Sequence, residues 1–384
     1  MDGAALQAAI EADVARRRLA AQRLAGEPFL TAPDALRAMG ALQAQDYAAA
    51  KWGLGQRVAA CTEAQLDALF DQGAILRTHV LRPTWHFVLP EDARWLQELT
   101  GPRVMAGLSA RQRQLDLDAK TISCAAEVFS EALSGGRHLT RTELGEALRQ
   151  AGVAPDGQRL PHLLAAAEHA CVITSGPRRG RDFTYALLDD RAPTARRRPR
   201  EEALTDLTVR YFATRGPATV RDFAWWSGLP ISDVRLGVEL AGDQLERTPG
   251  PDGVSWISGP QPANAPGDPV AHLLPNFDEI TVAYRDRSAL LDPAVEFDPS
   301  LFSWFRASSP EGALLSNIVT VDGRVRGAWR RTLNGQSVTV DLRLLKEDKA
   351  EAPLIVAAAK RLGHFLGRDV RLLMGEGRST TIAP

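Results

Sequence analysis

The sequence predicts an α+β fold: three tandem winged-helix modules followed by a C-terminal β-barrel-like module. Three observations carry that reading. A unit of helix, turn, helix and hairpin occurs at 140–188 and again at 204–257, and the copies align, Thr140 with Thr219, Glu143 with Asp222 and Leu144 with Phe223. Self-similarity at the spacing of one small module signals tandem domains. After residue 263 the texture changes to alternating strands with two-residue turn signals, Asp322-Gly323 and Asn334-Gly335. A chain of 384 residues is also too long for one compact core.

Taken in order, MDGAALQAAIEADVARRR reads as a charged helix without the apolar core of a signal peptide. TAPDALRAMGALQAQ and TEAQLDALFDQG follow as helices, then a strand pair in ILRTHVLRPTWHFVLP, so 1–132 holds a first, divergent copy with its flanking helices. The second copy, 133–192, starts its helix at Thr140 with Glu143 three positions on, the capping-box spacing. A Gly152–Gly157 turn, the helix RLPHLLAAAEHACV and a hairpin around Gly176–Gly180 complete it. The linker RAPTARRRPR leads into the third copy, 193–262, with helices in LTDLTVRYFATRG, TVRDFAWWSG and PISDVRLGVELAG and a hairpin about Gly250–Gly253. Residues 263–384 form the β-rich module, a small β-barrel or a curved sheet, in which LIVAAAKRLGHFLG is an amphipathic helix before a last strand.

Composition is that of a globular chain, 45% hydrophobic and 24% charged, with no run approaching a membrane span. A cytoplasmic, nucleoid-associated location is expected. Cys61, Cys124 and Cys171 lack metal-ligand spacing and read as reduced, buried thiols; neither a metal nor another cofactor is expected. The net charge of −1 does not announce nucleic-acid binding, but basic residues cluster locally at 177–183 and 191–200.

LRAMGALQAQDY, residues 36–47, is the most informative stretch. Where a chain leaves a helix for an extended path, side chains at i and i+2 point to one side, so Gln43 and Gln45 would face a common space. A carboxamide accepts through oxygen and donates through nitrogen, so a pair can hold a water or a phosphate without being a strong base. That equipment suits a reaction whose leaving group is already activated. The structural alternative is a pair of amides capping a helix end or lying in solvent.

LQAQD, ILRTHVLRPTWHFV and LLPNFDEITVAYRDR, in this order, resemble the winged-helix DNA-binding family that includes the AlkZ-like DNA glycosylases. The resemblance spans nearly the whole chain. It implies excision of bulky alkylpurines and unhooking of crosslinks, with the Gln-x-Gln motif of the active site on Gln43, Ala44 and Gln45; a sister branch, similar to the YcaQ glycosylases, has Gln-x-Asp. The Arg-x-Thr-x-His pattern maps onto Arg82, Thr84 and His86, expected to share one strand face that either lines DNA or satisfies buried backbone. Further implications are a C-shaped arrangement around a DNA channel, double-stranded DNA carrying alkylated purines as partner, and a monomer.

The chemistry agrees. A purine alkylated at N7 is cationic and departs as a neutral base, so what remains is to hold water against an oxocarbenium-like sugar. One amide would accept from that water and the other would anchor to a DNA phosphate. Asp46, one position on, is expected to point elsewhere, and Lys51 to be solvated or at a phosphate, so no Schiff-base lyase is expected. The function expected is a monofunctional DNA glycosylase acting on N7-alkylated purines, with unhooking of interstrand crosslinks as a further expectation. The alternative is a non-enzymatic winged-helix DNA-binding protein or transcriptional regulator, against which tandem copies in one chain do not build a symmetric dimer.

Arg178, Arg179 and Arg181 are expected at a wing tip on phosphate, Arg330 and Arg331 beside the Asn334-Gly335 tip, and the linker arginines 196–198 in solvent. Trp225-Trp226 reads as core. Residues 276–279 serve either capping or catalysis, and His79 has no metal partner at suitable spacing. His138, His162, His169, His272 and His364 read as ordinary surface or core residues.

Overall fold

The structure, a computed structural model, describes residues 3–250, 253–260, 268–305, 309–374 and 378–382. A helix α1 (Gly3–Ala21) precedes the first unit, which runs α2 (Ala32–Met39), β1 (Leu42–Gln43), α3 (Tyr47–Gly55), α4 (Glu63–Gln72), β2 (Leu76–Val80) and β3 (Thr84–Val88). Local chemistry sets these limits. Thr31 caps α2 by accepting from the Asp34 N–H, and Gly40, at φ 75°, ends it. Thr62 and Gln65 form a reciprocal capping box on α4. The three strands form one sheet in the order β1-β3-β2.

After the long α5 (Pro90–Gln114), the second unit repeats the order: α6 (Ala119–Leu133), β4 (Leu139–Thr140), α7 (Arg141–Gln150), α8 (Arg159–His169), β5 (Ile173–Ser175) and β6 (Thr184–Leu187), in a sheet ordered β4-β6-β5. A short α9 (Leu188–Arg191) leads to the third: α10 (Arg200–Arg215), a single bridge at Ala218, α11 (Val220–Ser227), α12 (Ile231–Ala241), β7 (Glu246–Pro249) and β8 (Ser255–Ser258). The capping boxes Thr140/Glu143 and Thr219/Asp222 stand at equivalent helices, as the alignment requires. The short strand between first and second helix of each unit was not read from the sequence, because two residues carry no period. Residues 251–252 of the third hairpin turn and the boundary at 262–263 lie outside the described residues.

The C-terminal part contains β9 (Ala271–Leu274), α13 (Glu279–Val282), α14 (Pro310–Leu314), β10 (Ile318–Val321), β11 (Arg324–Asn334), β12 (Ser337–Leu344), α15 (Ala352–Leu366), β13 (Asp369–Met374) and β14 (Arg378–Ile382). Its sheet is open rather than barrel-like: the order β14-β13-β12-β11-β10-β9 leaves β14 and β9 unpaired with each other. The β9 edge is closed instead by side chains, Trp52 donating to the Leu273 carbonyl and Arg361 to that of Ala271. Asp322 and Gly323 make the first tight turn, with φ 49° and 77°. The second is displaced by one residue from the expected Asn334-Gly335: Asn334 pairs with Ser337, so Gly335 and Gln336 form the tip.

Burial joins these parts. One core packs Trp52, Phe70 and Phe87 of the first unit with Trp329, Val340 and Phe365 of the C-terminal sheet. Another packs Leu76 and Val80 with Tyr211, Phe223 and Trp226 of the third unit. The second unit keeps a core of its own around Phe129, Leu144 and Leu163. Trp226 is fully buried, whereas Trp225 is 45% exposed and only its partner belongs to the core. The three cysteines are free and half-buried rather than buried. No helix among the described residues is long and apolar enough to cross a membrane.

Candidate functional site

β1 places Gln43 where the first unit, the third unit and the C-terminal part meet. Its backbone N–H donates to Glu279 Oε1 at 2.8 Å, across 236 residues of sequence. Glu279 and Arg215 are both fully buried and pair at 2.7 Å. Glu279 Oε2 also accepts from Trp226 Nε1 at 3.0 Å, and Arg215 donates to the carbonyls of Met39 and Ala41 at 2.9 and 2.8 Å. The turn into β1 is thus fixed by a charged pair contributed by two other parts of the chain. Nothing in the spacing of Arg215 or Glu279 announced this; capping or catalysis was expected for 276–279, and Asp278 does cap α13 while pairing with the buried Arg57 at 2.7 Å.

The side chain of Gln43 is buried, and its Oε1 accepts from Arg82 Nη2 at 2.7 Å. Gln45 is exposed, and its Oε1 accepts from the Trp85 N–H at 3.2 Å. A guanidinium and a backbone N–H can only donate, so each amide is oriented with oxygen inward. Neither Nε2 has a partner among the described residues. Both glutamines therefore offer N–H donors, and the oxygen expected to accept from a water already accepts one hydrogen bond from the protein. Arg77 holds the connecting segment from below, donating to the carbonyls of Ala44 at 2.9 Å and Gln45 at 3.3 Å while lying over the rings of Trp85 and Phe183.

Arg82, Thr84 and His86 do not share one strand face. Arg82 lies in the β2–β3 turn, where Leu81 has φ 64°, and only Thr84 and His86 are on β3. The turn is packed against Gly228, where a Cβ would come within 2.5 Å of the Leu81 carbonyl oxygen. His86 pairs with Gln43 across the ladder and is fully buried. Burial, reinforced by the Arg82 charge, holds its pKa well below the usual range, so the imidazole is neutral. Its Nδ1 lies 3.0 Å from the Thr84 carbonyl and so carries the hydrogen. Nε2 of His86, Oγ1 of Thr84 and Nε of Arg82 are buried without a hydrogen-bond partner among the described residues.

The expected wing arginines are mostly engaged. Arg178 pairs with Asp67 at 3.2 Å and Arg179 with Glu143 at 2.8 Å, while Arg181 is exposed with no partner among the described residues. Lys51 is not solvated: it is buried and pairs with Asp67 at 2.8 Å and Glu63 at 3.0 Å. Of the linker arginines, Arg198 is held by Asp206 at 2.6 Å. On the C-terminal hairpin, Arg330 pairs with Asp341 at 2.8 Å and lies over Trp304. Arg331 is half-buried, its pKa lowered by desolvation, with Glu63 and Asp46 as its charged neighbours. His79 is paired with the buried Glu168 and stacked on Trp85. A cleft of about 650 Å³ is lined by Arg77 and Trp85, which hydrogen-bond Gln45, and by Arg141, Arg179, Phe183 and Tyr185 among others.

The family described as DNA glycosylase AlkZ-like matches residues 36–365. The DNA glycosylase AlkZ of Streptomyces sahachiroi has a similar structure, with a TM-score of 0.73 at 21% identity over 94% of this chain and 99% of that one, a likeness of fold. No curated protein sequence matches the chain. The family match takes in the glutamine pair, the Arg82 turn and the Glu279 segment, and the chain belongs to the AlkZ-like DNA glycosylase family.

Proposed function

We propose that the protein is a monofunctional DNA glycosylase that hydrolyses the N-glycosidic bond of N7-alkylated purines, in monoadducts and in interstrand crosslinks. The observation that carries this reading is the orientation of the two amides, with both oxygens held and both NH₂ groups without a partner among the described residues. A water accepting from one of these donors keeps its second lone pair for attack, and the other donor suits a DNA phosphate. Amides cannot protonate a poor leaving group. The site therefore suits a base that departs unaided, which an N7-alkylated purine does because it leaves neutral. Lys51, the lysine nearest the motif, is tied to two carboxylates and poorly placed to form a Schiff base.

In this reading the three units are winged helices, bounded at 1–132, 133–192 and 193–262, and 263–384 is the fourth module. Together they form a C around duplex DNA and act as a monomer. Arg82, Thr84 and His86 shape the wall behind Gln43, Arg181 meets phosphate with Arg178 and Arg179 behind it, and Arg330 and Arg331 reach the DNA from the hairpin.

The test is excision from a duplex carrying N7-methylguanine. Gln43→Ala and Gln45→Ala should each reduce the single-turnover rate by about 100-fold, the scale of one lost transition-state donor, with duplex affinity within a few-fold of wild type. Full activity in the double variant would remove the mechanism.

A further inference from the structure

Hydrolysis requires a base for a proton of the attacking water, and a carboxamide is too weak a base to take it. The next residue is Asp46, exposed beside Gln45 at the start of α3. Its Oδ1 accepts from the Ala49 N–H at 3.1 Å and its Oδ2 from Asn276 Nδ2 at 3.4 Å, a long contact. Asn276 and Glu279 lie in one short segment, so that segment holds both the Gln43 backbone and the Asp46 carboxylate. Arg77 and Arg331 are cationic neighbours of Asp46.

The repeats supply an internal comparison. The equivalent caps of the second and third units are Thr140 and Thr219, each locked in a capping box with an acidic residue three positions on. In the first unit the cap is an aspartate, and the residue three positions on is Ala49, which has no side chain to reciprocate. Threonine would cap α3 as it caps the other two. The negative charge is thus not needed for the cap, and no box binds it.

Resting on the glycosylase reading above, we propose that Asp46 is a catalytic residue: its carboxylate stabilises the oxocarbenium-like sugar and accepts a proton from the water that one of the two amides holds. As the water oxygen bonds to C1′, the C1′–N9 bond breaks with its electron pair going to the cationic purine, which leaves neutral. The proton passes to Asp46 and then to solvent, for which the exposed carboxylate is open.

The experiment compares Asp46→Asn, Asp46→Thr and Gln43→Ala in single-turnover release of N7-methylguanine, with duplex Kd and thermal unfolding for each. Asn and Thr both preserve the cap, so unfolding should not change, while each should slow excision by about 100-fold or more, the scale of general-base loss. Wild-type rates in Asp46→Asn beside an inactive Gln43→Ala would overturn the role of Asp46 and leave the glutamine reading standing. A loss of affinity equal to the loss of rate would also overturn it, making Asp46 a DNA contact.

Discussion

Glu279→Gln tests whether the glutamine pair depends on the buried charge behind it. The wild-type carboxylate accepts from the Gln43 N–H at 2.8 Å, from Arg215 Nε and Nη2 at 2.9 and 2.7 Å, and from Trp226 Nε1 at 3.0 Å. An amide of the same shape can keep its oxygen toward one side only, so an NH₂ group is turned against another donor. It also leaves the fully buried Arg215 without a counter-charge. Removing one partner of such a pair costs about 3–5 kcal/mol, much more than an exposed pair would. The double variant Arg215→Met/Glu279→Leu loses both charges, though the Met39 and Ala41 carbonyls then lack their donor. It should be less destabilised than the two single changes summed, by at least about 2 kcal/mol. Urea unfolding followed by tryptophan fluorescence measures both quantities. An unchanged midpoint in Glu279→Gln, or strict additivity in the double variant, would refute the argument.

Three further outcomes are expected. Excision should persist in chelator, and borohydride should trap no covalent protein–DNA adduct; a trapped adduct would show an amine nucleophile and end the monofunctional reading. Replacing Arg178, Arg179 and Arg181 with Ala should lower the salt slope of duplex affinity by about one unit rather than three, because the first two already face carboxylates. Arg181→Ala alone should reproduce the change, and a slope reduced by about three units would show that DNA breaks the ion pairs. Shortening residues 331–336 to a minimal turn should slow crosslink unhooking more than release of a methylated base, read by product gels on the two substrates. Equal losses, or a fall in thermal stability large enough to explain them, would make the hairpin only the end of its sheet.

What could be read from the sequence follows the range of the interactions. Thr140, Thr219 and Thr62 announce helix starts because a cap and its partner lie three residues apart, and Asp322-Gly323 marks a turn for a similar local reason. Asn334-Gly335 misled by one residue because the ladder between β11 and β12, rather than the turn residues, sets the register. Gln43 and Gln45 stood out as types. The direction of their oxygens did not, since it depends on Arg82 and on the Trp85 backbone, 39 and 40 residues away. Lys51 read as a surface charge because Glu63 and Asp67 come from the next helix, and the barrel expectation failed because nothing local says whether β9 and β14 meet.

The first unit differs from its copies at the place where the candidate chemistry sits. In the second unit β4 ends on the cap Thr140 itself, and in the third the bridging Ala218 is followed at once by the cap Thr219. In the first unit Ala44 and Gln45 intervene between β1 and the cap Asp46. The insertion is not slack. The Ala44 N–H donates to the Trp85 carbonyl at 2.7 Å, and Arg77 takes the carbonyls of both inserted residues. Every backbone group so held restricts where the Gln45 amide can go, while Glu279 and Arg82 restrict Gln43 from the other side. An active site that works by holding a water needs donors whose positions are set before the substrate arrives, because ordering them during the reaction would raise the barrier. A strand end braced by a buried ion pair meets that need better than a free loop, so the proposed role of the amides fits their place on β1 and its extension rather than on the more accessible hairpin tips.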